Sequence, residues 1–267
     1  MIHIATVHWN TDKWIGIQQS YLRKHIKSPY RVYAWLNNVP SVPADSFFYT
    51  CSEPIVSHAV KLNILADIIY FSSNRDDDLL IFLDGDAFPI GDIEFLVKQK
   101  LADYKLIAVQ RLENNGDIQP HPCFCATTVG FWKCIKGDWK EGHRWKNKDG
   151  RWVTDIGGNL LKQLTESGNK WYPLVRSNKH NLHPVFFGAY GGVIYHHGAG
   201  FRRTLTRFDR GNSKARFLDK LLFFAPPPYR RVLRQKQLDR VIAENSSLSE
   251  KVFKRIQEDP HFESEFI

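Results

Sequence analysis

Five consecutive apolar residues, Leu79-Leu80-Ile81-Phe82-Leu83, end abruptly on Asp84-Gly85-Asp86. An unbroken apolar run of this length suits a strand covered on both faces, as in a mainly parallel sheet; a membrane span would need roughly 18–20 such residues. The flanking pattern agrees. Ile2–Val7 reads as a strand, Trp14–His25 as a helix, Arg31–Leu36 and Phe47–Tyr49 as strands, His58–Phe71 as a helix and Asp155–Glu166 as another. Strands alternating with helices predict an α/β fold, a mainly parallel twisted sheet flanked by helices. Ligands of open α/β sheets gather at the carboxyl ends of the strands, which is where Asp84 and Asp86 fall.

The chain has 267 residues, 43% hydrophobic and 24% charged, enough to bury a core and too apolar for a disordered, collagenous or coiled-coil protein. Four cysteines are too sparse for a disulfide framework and are expected as thiols. Met1–Val7 lacks the basic start and long apolar stretch of a secretion signal, so a cytoplasmic protein is expected. The net charge of +9 is local: residues 202–240 hold twelve Lys/Arg against three Asp, and the rest is formally neutral. Within that stretch, Leu221-Leu222-Phe223-Phe224 runs through prolines into Tyr229-Arg230-Arg231, a pattern able to lie in an anionic lipid interface, peripherally on a membrane face. No nucleic-acid motif accompanies the charge. Residues 1–203 are expected as one α/β domain and 204–267 as a basic helical appendage.

Two carboxylates separated by one glycine repel unless a cation sits between them. Mg²⁺ or Mn²⁺ meets that need and would neutralise a diphosphate. Asp and Gly also collect in ordinary surface turns, so the pair acquires meaning from its surroundings.

Those surroundings resemble a family. Phe82-Leu83-Asp84-Gly85-Asp86-Ala87-Phe88-Pro89 is similar to the Asp-x-Asp segment of GT-A-fold (Rossmann-like) nucleotide-sugar glycosyltransferases. His58-Ala59-Val60-Lys61-Leu62-Asn63 resembles the lysine-bearing helix of their glycogenin-like and lipopolysaccharide-galactosyltransferase-like retaining members. Thr127-Thr128-Val129-Gly130 resembles the strand facing the donor sugar, Asp155-Ile156-Gly157-Gly158 the acidic helix start beside it, and His197-Gly198-Ala199-Gly200-Phe201-Arg202-Arg203 the His-x-x-Gly-x-x-Lys pattern with arginine for lysine. Ile156 replaces the glutamine usual in glycogenin-like enzymes.

The resemblance implies transfer of a sugar from a nucleotide-diphosphate donor, a UDP-sugar above all, to a glycan or lipid-linked saccharide, with retention. Asp84, Asp86 and His197, or its neighbour His196, would hold Mn²⁺ or Mg²⁺. Lys61 and Arg203 would meet the phosphates, Gly200 the donor, Thr128 and Gly130 the sugar, and Thr6, His8, Trp9 and Asp12 the nucleoside. Asp155 would be the catalytic carboxylate, with a helix cap as its plainer role. Some of Trp132, Trp139, Trp145, Trp152 and Trp171 would stack on an acceptor sugar. A non-catalytic carbohydrate- or nucleic-acid-binding protein on the same scaffold is the alternative.

Overall fold

The structure is a computed structural model and describes residues 1–42, 45–198, 220, 222–224 and 226–265. Its chain opens β1 (Ile2–Trp9), α1 (Lys13–His25), β2 (Tyr30–Asn37), β3 (Tyr49–Cys51), α2 (His58–Ser72), β4 (Leu79–Asp84). A short β5 (Ala87–Pro89), α3 (Ile93–Leu101), β6 (Leu106–Val109), β7 (His121–Thr128) and α4 (Val129–Cys134) follow. Then come a small hairpin, β8 (Trp145–Lys146) and β9 (Trp152–Val153), followed by α5 (Gly158–Glu166), β10 (Trp171–Leu174), β11 (Gly188–Tyr190) and β12 (Ile194–His196). A long helix, α6 (Pro227–Glu258), comes last but for one short turn.

The fold is the expected α/β type. Seven strands form one sheet in the order β10-β6-β7-β4-β1-β2-β3, all running the same way except β7. The apolar run of β4 lies at its centre between β1 and β7, which is why Leu80 to Leu83 are buried on both faces. One core fills the α2 side, with Leu62, Leu65 and Ile69 against Phe82, Trp35 and Trp139; the other face packs Ile4, Ile81, Phe124 and Val97.

The antiparallel β7 corrects one expectation. Leu79 sits opposite Thr128, and Leu83 opposite Phe124, so β7 starts at the Asp84 end and finishes at the far edge. Thr128 there caps α4, its hydroxyl accepting from Phe131 N–H, and Gly130 lies against Asp76. At about 3.3 Å per residue these two stand well over 10 Å from Asp84, too far to face a sugar held there.

A second, three-stranded sheet, β11-β12-β5, grows from the end of β4. Its outer face joins Trp14, Phe88 and Phe187 to Val252, Phe253 and Ile256 of α6 and to Phe262, so the far half of the expected appendage completes a third core. The near half of α6 stays exposed.

Candidate active site

Asp84 ends β4 and Asp86 follows one glycine later. Gly85 has to be glycine here: a Cβ would lie 2.6 Å from Val7 O and 2.8 Å from His8 Nδ1, so the turn presses against β1 and both carboxylates swing to one side. Gln18, on α1, fixes that turn by donating from Nε2 to Asp84 O and Ala87 O, both at 2.8 Å.

β12 pairs antiparallel with β5, His196 opposite Ala87. This pairing brings His196 Nε2 to 3.4 Å from Asp86 Oδ1 and 3.7 Å from Asp84 Oδ2. One ligand atom from each of Asp84, Asp86 and His196 lies within 4.8 Å of the others. His197 faces the opposite way because consecutive strand residues alternate sides. Its Nε2 pairs with Ser249 Oγ of α6 at 2.8 Å, its Nδ1 with Tyr195 Oη at 3.1 Å, and its ring lies against Trp14. His196 therefore takes the position expected of His197. The backbone after it still serves the site, since His197 N–H donates to Asp86 O and Gly198 N–H to Asp86 Oδ2, both at 3.0 Å.

Electrostatics bind the cluster. Burial opposes ionisation of Asp84, but His58, His196 and His121 hold its carboxyl well below the usual range; burial likewise opposes Asp86, which His196 keeps low. Burial disfavours a charged His196, yet Cys123 and Asp86 beside it raise its pKa well above normal. The imidazolium thus plays the part of the cation between two carboxylates. Two carboxylates and an imidazole are a donor set that suits a divalent ion such as Mn²⁺, which would compete with that proton. His197 is pushed down to about 3 by burial.

Several members of this site carry no strong signal in the sequence. His58, at the first turn of α2, places Nε2 2.9 Å from Asp84 Oδ1. His121 opens β7 with its ring centroid 5.9 Å from that of His196; burial, and then Arg111, drive its pKa well below normal. Arg111 is a half-buried cation two residues beyond β6, with Nη2 donating to Val185 O at 3.2 Å and Nε 3.5 Å from Glu113 Oε1. A period-two reading of β7 back from Cys123 could have found His121; Arg111 had none, because the pairing of β6 with β7 brings it there.

The other expected residues divide. Lys61 is buried one turn after His58, its pKa lowered by burial, and its Nζ has no hydrogen bond or ion pair among the described residues. Thr6 is buried with its hydroxyl donated to Gln18 Oε1 at 3.3 Å, so it supports the turn and cannot reach a nucleoside. His8 lies under Gly85, lowered to about 4 by burial. Trp9 is exposed at the carboxyl end of β1 and Asp12 is half-buried at the start of α1. Asp155 accepts from Ile156 N–H at 2.8 Å in the turn before α5 and lies near Asp117, whose charge it disfavours. Gly200 and Arg203 lie outside the described residues. Trp132, Trp139 and Trp145 are core; Trp152 on β9 is 64% exposed, with Lys146 Nζ over its ring at 5.5 Å.

No family model and no curated protein matches the chain. Among solved structures it is similar to S. aureus TarS 1-349 in a crystal with UDP-GlcNAc (10% identity, 67% of this chain and 60% of that one, TM-score 0.39). It is also similar to the glycosyltransferase GlyE of Streptococcus pneumoniae TIGR4 (12%, 65% and 45%, 0.41) and to the galactosyltransferase LgtC in complex with donor and acceptor sugar analogs (10%, 65% and 73%, 0.36). The match thus spans less than half of GlyE and under two thirds of TarS. At TM-scores below 0.5 the likeness adds nothing to what the geometry of the site supports.

Proposed function

We propose that this protein is a metal-dependent glycosyltransferase that moves a sugar from a nucleotide-diphosphate donor, a UDP-sugar above all, to a glycan or lipid-linked saccharide. The observation that carries the reading is the convergence of Asp84, Asp86 and His196 at the carboxyl end of the central strand. A divalent ion, Mn²⁺ or Mg²⁺, held by these three would neutralise the departing diphosphate. Lys61, buried on α2, and Arg111, half-buried just beyond β6, are cations suited to the same charge, and Arg203 is the further cation that the family resemblance suggests. Trp9, exposed at the end of β1, and Asp12, half-buried before α1, are the residues for the nucleoside in this reading. Asp155 is the carboxylate for the reacting sugar, and Trp152 on the neighbouring hairpin offers a face to the acceptor. Transfer with retention rests on the family resemblance alone.

The C-terminal segment suits a peripheral membrane contact. Phe223, Phe224, Tyr229, Val232 and Leu233 are exposed and share their stretch of chain with Arg230, Arg231, Arg234 and Arg240. No helix among the described residues is long and apolar enough to cross a membrane. The decisive experiment incubates the protein and Mn²⁺ with a panel of nucleotide sugars and follows nucleotide release. Release of UDP by the wild type and its loss in Asp86→Ala, folded by circular dichroism, is expected. Release of no nucleotide from any donor would refute the reading.

A further inference from the structure

A second polar group, separate from the carboxylate–histidine cluster, sits on the loop that leads into β7. Asp117 and Gln119 are both buried there, Gln119 at 1% exposure. Neither Oε1 nor Nε2 of Gln119 has a hydrogen-bond partner among the described residues, a costly arrangement that folded proteins rarely keep without a use. The amide faces the Asp117 carboxyl and steadies its charge without closing a hydrogen bond to it. Asp117 accepts one from Asn114 Nδ2 at 2.6 Å. Burial, with Asp155 adding to it, pushes the Asp117 carboxyl up to about 6. Asp155 comes close because Gly157, two residues on at φ +90°, lays the start of α5 directly on Pro120 and Gln119.

Gln119 stands two residues before His121, the ring beside His196. Two residues of extended chain reach at most about 7 Å, so the Gln119 backbone lies within about 7 Å of that of His121. The groups gathered there also select a class of ligand. A cation would meet the Gln119 amide N–H, and an anion would meet Asp117 and Asp155. A neutral polyol suits all three, since each hydroxyl both donates and accepts.

We propose that Gln119 and Asp117 bind neighbouring hydroxyls of the transferred sugar, opposite Asp155, and so determine which donor sugar the protein accepts. This rests on the glycosyltransferase reading above. The test measures, by calorimetry with Mn²⁺, the affinities of UDP, UDP-glucose, UDP-galactose and UDP-GlcNAc for wild type, Gln119→Leu and Asp117→Asn.

Gln119→Leu removes an unpaired amide, so its melting temperature is expected to equal or exceed that of the wild type, while UDP affinity stays within about twofold. Its ratio of UDP-sugar to UDP affinity is expected to fall about tenfold or more for the best donor. Asp117→Asn provides a second reading of the same ratio should the leucine variant fail to fold. An unchanged ratio in both variants, or a leucine variant that only loses stability, overturns the sugar site and leaves the glycosyltransferase reading standing. Absence of binding by any of the four nucleotides to the wild type overturns both.

Discussion

Replacing Asp86 by asparagine tests the metal cluster at its most constrained point. The change keeps size and an oxygen able to accept from Gly198 N–H, but removes one of the two charges facing His196. In the wild type, Mn²⁺ at about 100 times its Kd would stabilise the fold by about 2.7 kcal/mol. For a chain of this size, where 1 kcal/mol moves the melting temperature by about 2–4 °C, that is a rise of about 5–10 °C. Groups that merely orient a ligand cost 10–100-fold in affinity when lost, so losing a ligand itself is set at about 100-fold. The same Mn²⁺ concentration then equals Kd, the stabilisation drops to about 0.4 kcal/mol, and the shift shrinks to about 1 °C. Differential scanning fluorimetry across a Mn²⁺ titration reads both numbers. Equal shifts in the two proteins, or none in the wild type at millimolar Mn²⁺, would refute the cluster as a metal site.

Acid should weaken the fold at the amino-terminal edge of the sheet. Burial opposes the charge of Asp78, but hydrogen bonds from the Met1 amine, Ser73 and His3 hold its carboxyl down at about 2, while burial lowers His3. Both groups bind protons less readily folded than unfolded. Stability should therefore fall below pH 6.5 as His3 is forced to charge, and further between about pH 4 and 2 as Asp78 is protonated. In Asp78→Asn the lower step, set at about 1–2 kcal/mol after allowing for solvent screening, should vanish from a melting curve series run across pH. Gly157→Ala would place a Cβ against Pro120 O at a left-handed backbone position; a loss of about 2 kcal/mol or more in urea unfolding is expected, and a neutral result would contradict the packing described. Phe223→Ser with Phe224→Ser should reduce co-sedimentation with phosphatidylserine vesicles without changing the melting temperature, since both rings are exposed; unchanged binding would defeat the membrane contact.

The sequence by itself determined the central strand, its neighbouring helices and the Asp84–Asp86 pair, because each rests on local order: an apolar run, a helical period, a glycine between two acids. It also marked His196 and His197 together as the late histidines, with His197 as the expected ligand. Only the tertiary structure put His196 there, since the pairing of β12 with β5 decides which side of the strand faces Asp86. The direction of β7 was equally out of reach. It carries Thr128 and Gly130 away from the site and His121 into it, and strand direction is decided by partners distant in the chain rather than by the strand's own residues. Arg111, Asp117 and Gln119 became meaningful for the same reason. As residues in a polar loop they are ordinary, and burial against elements folded from elsewhere makes their charges and unpaired atoms count.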